Sequence, residues 1–152
     1  DMEGIFRMHQ FDKLEMETFS TAETSYDEHL LMIAIQEHLV SSLGLPYQVV
    51  LKASEDVGKP NIRGVDIETW MPAQNAYRET HTADYIGDYQ MRRLNTKLKF
   101  DDGKSELVHT NDATAFALGR IMKAIIENYQ NEDGSINIPE VLAPYMGGRD
   151  KI

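Results

Sequence analysis

Residues 4–19 alternate with a period of two. Ile5, Arg7, His9 and Phe11 stand against Phe6, Met8 and Gln10; Leu14, Met16 and Thr18 then stand against Glu15 and Glu17. Side chains of an extended chain point to opposite faces in turn, so the pattern predicts strand over 4–11, continuing over 13–19. Further strands are predicted over 47–53, over 65–72 and, past a short break, over 75–82. The Asp101-Asp102-Gly103 turn predicts a hairpin between 96–100 and 106–110.

Helical spacing is confined to two long stretches. Leu30, Leu31, Ala34, Ile35, His38, Leu39 and Leu43 follow one helix. Ser25-Tyr26-Asp27-Glu28 opens it as a capping box, and Gly44 closes it with Pro46 beyond. Phe116, Ala117, Ile121, Ile125 and Ile126 predict a second helix over 114–129. Its start at Asp112 or Ala113 makes Asp112 an N-cap and puts Arg120 two turns inside. A short helix over 83–94, a turn at Asp133-Gly134, a short strand over 135–138 and a helical turn over 139–145 complete the reading. Strands in succession, with long helices inserted at two places, predict an α+β fold: a mainly antiparallel sheet flanked by helices. The chain has 152 residues and is 41% hydrophobic, which fits a single domain spanning 1–152.

Charge and composition narrow the function. The formal net charge is −10, whereas nucleic-acid binders carry basic faces that neutralise phosphates. Nucleic-acid binding is therefore not the main task of this segment, although a local basic pocket for a nucleotide is compatible with it. There is no cysteine, which excludes disulfides and thiolate zinc sites and fits a reducing compartment. No apolar run approaches the ~20 residues of a membrane span. Walker, dinucleotide-glycine and His-Glu-x-x-His motifs are missing, and His29 and His38 lie too far apart on one helix to share an ion.

Three polar blocks remain. On an unbroken pleat, Arg7, Phe11 and Glu15 share one face. That would set a guanidinium for a phosphate, a ring for a base and a carboxylate for an ammonium side by side. A solvated sheet face gives the same pattern. Asp66-Ile67-Glu68-Thr69-Trp70 and Tyr77-Arg78-Glu79-Thr80-His81-Thr82 offer oxygens suited to magnesium bridged to phosphates, or again a solvated face. Thr110, Asp112 and Thr114 precede Arg120, for which surface salt bridging is the plain alternative.

In combination the blocks resemble the seryl-tRNA synthetase family. Residues 4–15, Gly-Ile-Phe-Arg-Met-His-Gln-Phe-Asp-Lys-Leu-Glu, resemble the second half of its motif 2. Leu43-Gly44-Leu45-Pro46-Tyr47, Asp66-Ile67-Glu68-Thr69-Trp70-Met71-Pro72, Tyr77-Arg78-Glu79 and Gln90-Met91-Arg92-Arg93-Leu94-Asn95 follow in the family's order. Ala117-Leu118-Gly119-Arg120 resembles motif 3, and Pro144-Tyr145-Met146-Gly147-Gly148 the C-terminal end.

The resemblance implies a class II synthetase catalytic fold, from the second half of motif 2 through motif 3. The implied reaction joins L-serine to ATP as seryl-adenylate and passes the seryl group to tRNA(Ser), with Mg2+ assisting, in a cytoplasmic homodimer. It implies that Arg7 meets the ATP phosphates and that Phe11 and Arg120 cover the two adenine faces. Glu15 would receive the serine ammonium, Thr114 would lie near its hydroxyl, and Glu79 with Thr82 would hold magnesium. Arg7, Glu79 and Arg120 carry the catalytic role in this reading. Asn111-Asp112 departs from the Leu-Asn of many relatives, so no serine contact transfers to Asp112. Two alternatives stand beside it: a non-catalytic nucleotide-binding module on the same fold, and a seryl ligase acting on a carrier protein, whose relatives use a cysteine-containing zinc site.

The resemblance lacks the family's coiled coil, its motif 1 dimer segment, its threonine loop and the leading arginine of motif 2. The isolated 152 residues are therefore expected to show no serine-dependent ATP–pyrophosphate exchange. A measurable exchange rate would contradict this.

Overall fold

The computed structural model describes residues 4–152. In chain order its elements are β1 (Lys13–Ser20), α1 (Ser25–Ser42), β2 (Tyr47–Leu51), β3 (Arg63–Met71), β4 (Ala76–Gly87), α2 (Tyr89–Leu94), β5 (Lys97–Lys99), β6 (Ser105–Leu107), β7 (His109–Ala117) and α3 (Leu118–Tyr129). One sheet runs in the order β1-β7-β4-β3-β2 with every neighbouring pair antiparallel, and β5 and β6 form the small hairpin. The expected architecture is therefore present. No helix among the described residues is long and apolar enough to cross a membrane.

Both long helices cover the same face of the sheet. Helix α1 buries Ser25, His29, Met32, Ile33, Gln36 and Val40, a stripe spaced by threes and fours, whereas Leu30, Leu31, Ala34, Ile35 and His38, which marked the helix in the sequence, are exposed. Met32 and Ile33 pack on Val65, Ala83 and Ala113, while Val40, Leu43 and Leu45 pack with Ile67, Met71, Ile121 and Ala124 of β3 and α3. The opposite sheet face is polar.

Several boundaries differ from the sequence reading. Gly4–Phe6 is a 3-10 turn and 7–12 is irregular, so the pleat expected to align Arg7 and Phe11 with Glu15 is absent. Residues 83–87 complete β4, and the helix begins only at Tyr89. Residues 114–117 belong to β7, so Asp112 lies inside a strand and is no cap, and Arg120 is the third residue of α3. Ala113, Ala115 and Ala117 suit either state, and pairing of residues 114–117 with β1 decides for strand. The capping box does not form either. Ser25 is already helical, and the Thr24 amide donates instead to the Thr21 hydroxyl at 3.2 Å.

One feature of the sheet positions the site. Strands β4 and β7 pair from Ala83↔Ala113 to Gly87↔Thr110, and Thr82 and Thr114 beyond them are not paired with each other. At this fork the Gln36 side-chain amide donates to the Thr82 carbonyl and to the Thr114 carbonyl, each at 2.8 Å. Gln36 is fully buried, so these carbonyls have no water in its place. A Gln36→Leu variant keeps the volume but strands both acceptors. It is expected to lose about 2–4 kcal/mol of stability, read as a lower midpoint in urea unfolding.

Candidate active site

One side of the candidate site lies at the start of α3. The 3-10 turn Gly4–Phe6 rests on the start of α3, where a Cβ on Gly119 would stand 2.9 Å from the Ile5 carbonyl oxygen. That close approach buries Phe6. The Arg120 guanidinium sits 4.6 Å above its ring and that of Arg78 lies 5.3 Å away, both within cation–π range. Nη1 of Arg120 donates to the Glu79 carbonyl at 2.9 Å and to its Oε1 at 3.0 Å. Arg7, Met8, Phe11, Ala117, Gly119 and Arg120 line a cleft of about 130 Å³. An adjoining cleft of about 250 Å³ is lined by Arg7, Glu68, Arg78, Glu79 and Arg120. Phe11 keeps 54% of its surface exposed and offers a ring to an incoming group.

The polar sheet face is set by register. Glu79 and Thr82 are three residues apart, and on a regular strand they would face opposite ways. A shift between Ile67 and Glu68 pairs Glu68 with Glu79 but Ile67 with His81 and Asp66 with Thr82. Thr80 is the extra residue of this bulge. Its hydroxyl is buried against that of Thr69 at 2.7 Å. Asp66, Glu68, Glu79 and Thr82 consequently share one face. A second shift in β1–β7 pairs Glu15 with Thr114 and Glu17 with Asp112, which in turn faces Asp84 of β4.

Lysines offset this acidity. Lys13 Nζ forms an ion pair with Glu15 Oε2 and donates to the Thr114 hydroxyl at 3.5 Å, and that hydroxyl donates to Glu15 Oε1 at 3.5 Å. Lys52 Nζ donates to Thr82 Oγ1 at 2.6 Å and pairs with Asp66 at 3.0 Å and Asp84 at 3.5 Å. Burial pulls the Lys52 ammonium towards neutrality, but Asp66 and then Asp84 outweigh it, and its pKa is raised. Among the described residues Asp112 forms no ion pair, and only the more distant Lys13 charge favours its carboxylate. Burial, followed by the charges of Asp84, Glu17 and Glu15, pushes its pKa up to about 6. The buried histidines are held neutral: His29 accepts from Arg63 at 2.8 Å, and burial takes both His29 and His81 down to about 4.

Of the residues singled out in the sequence, Arg7, Phe11 and Arg120 line one cleft, and Arg7, Glu79 and Arg120 line its neighbour. Glu15 meets Thr114 across β1 and β7. Thr82 shares the face of Glu79 but lines neither cleft, and its hydroxyl is engaged by Lys52. Among the described residues, no group of three or more His, Cys, Asp or Glu side chains is placed to hold a metal by itself. Phe6 and Lys52 were missed. Phe6 looks like an ordinary strand residue, and its partner Arg120 is far along the chain. Lys52 ends an apolar run, where a lysine usually means solvent.

The raised Asp112 pKa has a thermodynamic sign. The unfolded chain releases this proton near the usual aspartate value and the folded chain only near 6, so stability falls as pH rises between them. Screening of this half-exposed group reduces the effect to about 1 kcal/mol. Asp112→Asn is expected to raise the melting temperature at pH 7.5 and leave it nearly unchanged at pH 4, as thermal melts at the two values would reveal.

Known proteins share this fold. The seryl-tRNA synthetase from Pyrococcus horikoshii, solved complexed with ATP, superposes with a TM-score of 0.95 at 42% identity, covering 100% of this chain and 34% of its own. The cytoplasmic serine–tRNA ligase from Naegleria fowleri, solved in complex with AMP, gives 0.90 at 39% identity, covering 98% and 36%. The chain thus spans about a third of the length of these relatives. Residues 1–129 match the tRNA synthetase class II core domain (G, H, P, S and T). With an antiparallel sheet backed by helices and a match over most of its length, the chain belongs to the class II tRNA synthetase core-domain family.

Proposed function

We propose that this chain carries the ATP clamp and one wall of the serine pocket of a serine–tRNA ligase. The observation that carries the reading is the convergence of Arg7, Phe11 and Arg120 on one cleft from a loop and a helix start far apart in sequence. Similarity to two seryl-tRNA synthetases, one solved with ATP and one with AMP, supports it.

In this reading adenine enters between the exposed Phe11 ring and the Arg120 guanidinium plane, a pairing of π-face and flat cation. Arg7, shared by both clefts, meets the phosphates. Arg120 is held in place by the Phe6 ring beneath it and by Glu79. The Glu15 carboxylate takes the serine ammonium in exchange for Lys13, and Thr114 beside it reads the serine hydroxyl. A site that hydrogen-bonds this hydroxyl rejects alanine, which leaves the polar partners unpaired. The serine carboxylate attacks the α-phosphate and pyrophosphate leaves. Arginines stabilise the charge that develops, and positioning supplies the remainder; no protein nucleophile takes part.

Magnesium fits the donor set. The bulge turns Glu79 and Thr82 to one face, and magnesium uses one or two protein oxygens together with phosphates and water. When bound, it would neutralise phosphate charge. The acidic balance of this chain leaves most of the grip on tRNA(Ser) to other parts of a full-length, cytoplasmic, homodimeric enzyme.

Calorimetric titration with ATP tests the assignment. Arg120→Ala removes a plane of the clamp and a charge near the phosphates, so affinity is expected to fall about tenfold to a hundredfold. Unchanged affinity in a folded Arg120→Ala chain would refute the nucleotide site.

A further inference from the structure

We propose that Lys52 is a built-in counter-cation that closes the Asp66–Thr82–Asp84 oxygen cluster to free divalent cations. An ammonium group has three N–H donors and no lone pair. Here it meets three acceptors on two adjacent strands: Thr82 Oγ1 at 2.6 Å, Asp66 Oδ1 at 3.0 Å and Asp84 Oδ1 at 3.5 Å. The contacts to Thr82 and Asp84 are hydrogen bonds, and that to Asp66 is an ion pair.

The path of the side chain is built into the sheet. The Lys52 amide donates to the Gly64 carbonyl at 3.0 Å, and its stem then crosses the bare face of that glycine. A Cβ on Gly64 would stand 2.6 Å from Lys52 Cδ and 2.8 Å from Asp84 Oδ1. Only a residue without a side chain leaves this slot open. The side chains of Lys52, Asp66 and Asp84 keep 15%, 19% and 16% of their surface, so solvent screens their attraction weakly.

A divalent ion entering the cluster must evict Lys52 or sit against it. Eviction breaks three contacts of a largely buried charge, and coexistence sets like charges side by side. The consequence follows for Thr82. Its oxygen is already claimed by a cation of the chain itself, as Glu79 Oε1 is claimed by Arg120. Metal alone does not gain the site, and a metal that enters must bring ligands of its own, as one already bound to phosphates does. This inference rests on the assignment of Thr82 to the magnesium position.

The test uses Mn2+ alone, without nucleotide, followed by electron paramagnetic resonance on the 152-residue chain. Lys52→Gln removes the charge but keeps a donor for Thr82. It is expected to bind Mn2+ at least about tenfold more tightly than the unaltered chain. Lys52→Arg is expected to behave like the unaltered chain, and Lys52→Gln combined with Thr82→Val to lose the gain. Equal affinity in the folded Lys52→Gln and unaltered chains, or a gain that survives Thr82→Val, overturns the proposal. A measurement independent of variant folding follows the lysine side-chain nitrogen by NMR in the unaltered chain. Mg2+ alone should leave the Lys52 signal in place, and its displacement by Mg2+ overturns the proposal equally. ATP titration of the same sample separates this outcome from failure of the ligase reading.

Discussion

The Gln36 amide between β4 and β7 is the interaction on which the rest of the site depends. A sheet whose strands pair along their whole length has no room for a substrate between them. Here the two strands diverge beyond Ala83 and Ala113, and the carbonyls at the fork need donors. Gln36 supplies both hydrogens from within α1, and Arg120 supplies another to the Glu79 carbonyl further along β4. The opening thus exists without buried unpaired backbone at these positions. Arg7, Phe6 and Arg120 occupy the space so created. Helix α1 supports the site from the far side of the sheet, although none of its residues lines either cleft.

Two irregularities of pairing then decide which side chains can act together. The bulge at Thr80 turns Glu79 to the face that carries Thr82 and Asp66. The shift between Leu14 and Glu15 brings Glu15 opposite Thr114. Each inserts one residue and reverses the parity of everything beyond it. The result is a face dense in carboxylates beside a cleft lined with guanidinium groups. Such a surface suits a ligand that is cationic at one end and polyanionic at the other, as an amino acid beside a nucleotide is. Its acidity is offset by Lys13 and Lys52, while Asp112, partly buried and then surrounded by neighbours of its own sign, holds its proton longer.

Much of the fold was legible in the sequence. A period-two run marked β1, strands were also expected at β2 and β3, and a helix ending at Gly44 was visible in advance. The apolar residues that marked this helix, Leu30, Leu31, Ala34 and Ile35, are nevertheless exposed, and its buried side runs through His29, Met32, Ile33, Gln36 and Val40. The misreadings share a cause. Residues 114–117 are alanine-rich and hydroxyl-bearing, compatible with either helix or strand, and were joined to the helix that follows. Residues 83–87 were joined to α2 in the same way. In both places strand pairing, of 83–87 with β7 and of 114–117 with β1, overrode the local preference through contacts distant in sequence. Residues 4–11 erred in the other direction. Their alternation is real, but no neighbouring strand pairs with them, and the chain turns to meet α3 instead.

The sequence by itself determined the chemical inventory: an arginine and phenylalanines near the start, oxygens on two middle strands, an arginine after a glycine near the end, and enough alternation to require an antiparallel sheet. It also carried the family resemblance, because ordered blocks survive without coordinates. Only the tertiary structure decided which of these residues meet. Arg7 and Phe11 reach one cleft through an irregular loop, where a shared pleat had been expected. Glu79 and Thr82 share a face because of one inserted residue, and Lys52 reaches Thr82 because Gly64 leaves a slot. The reason is physical. Periodicity records which side of an element faces the core, whereas register, bulges and close approaches arise between elements and leave no period in the chain.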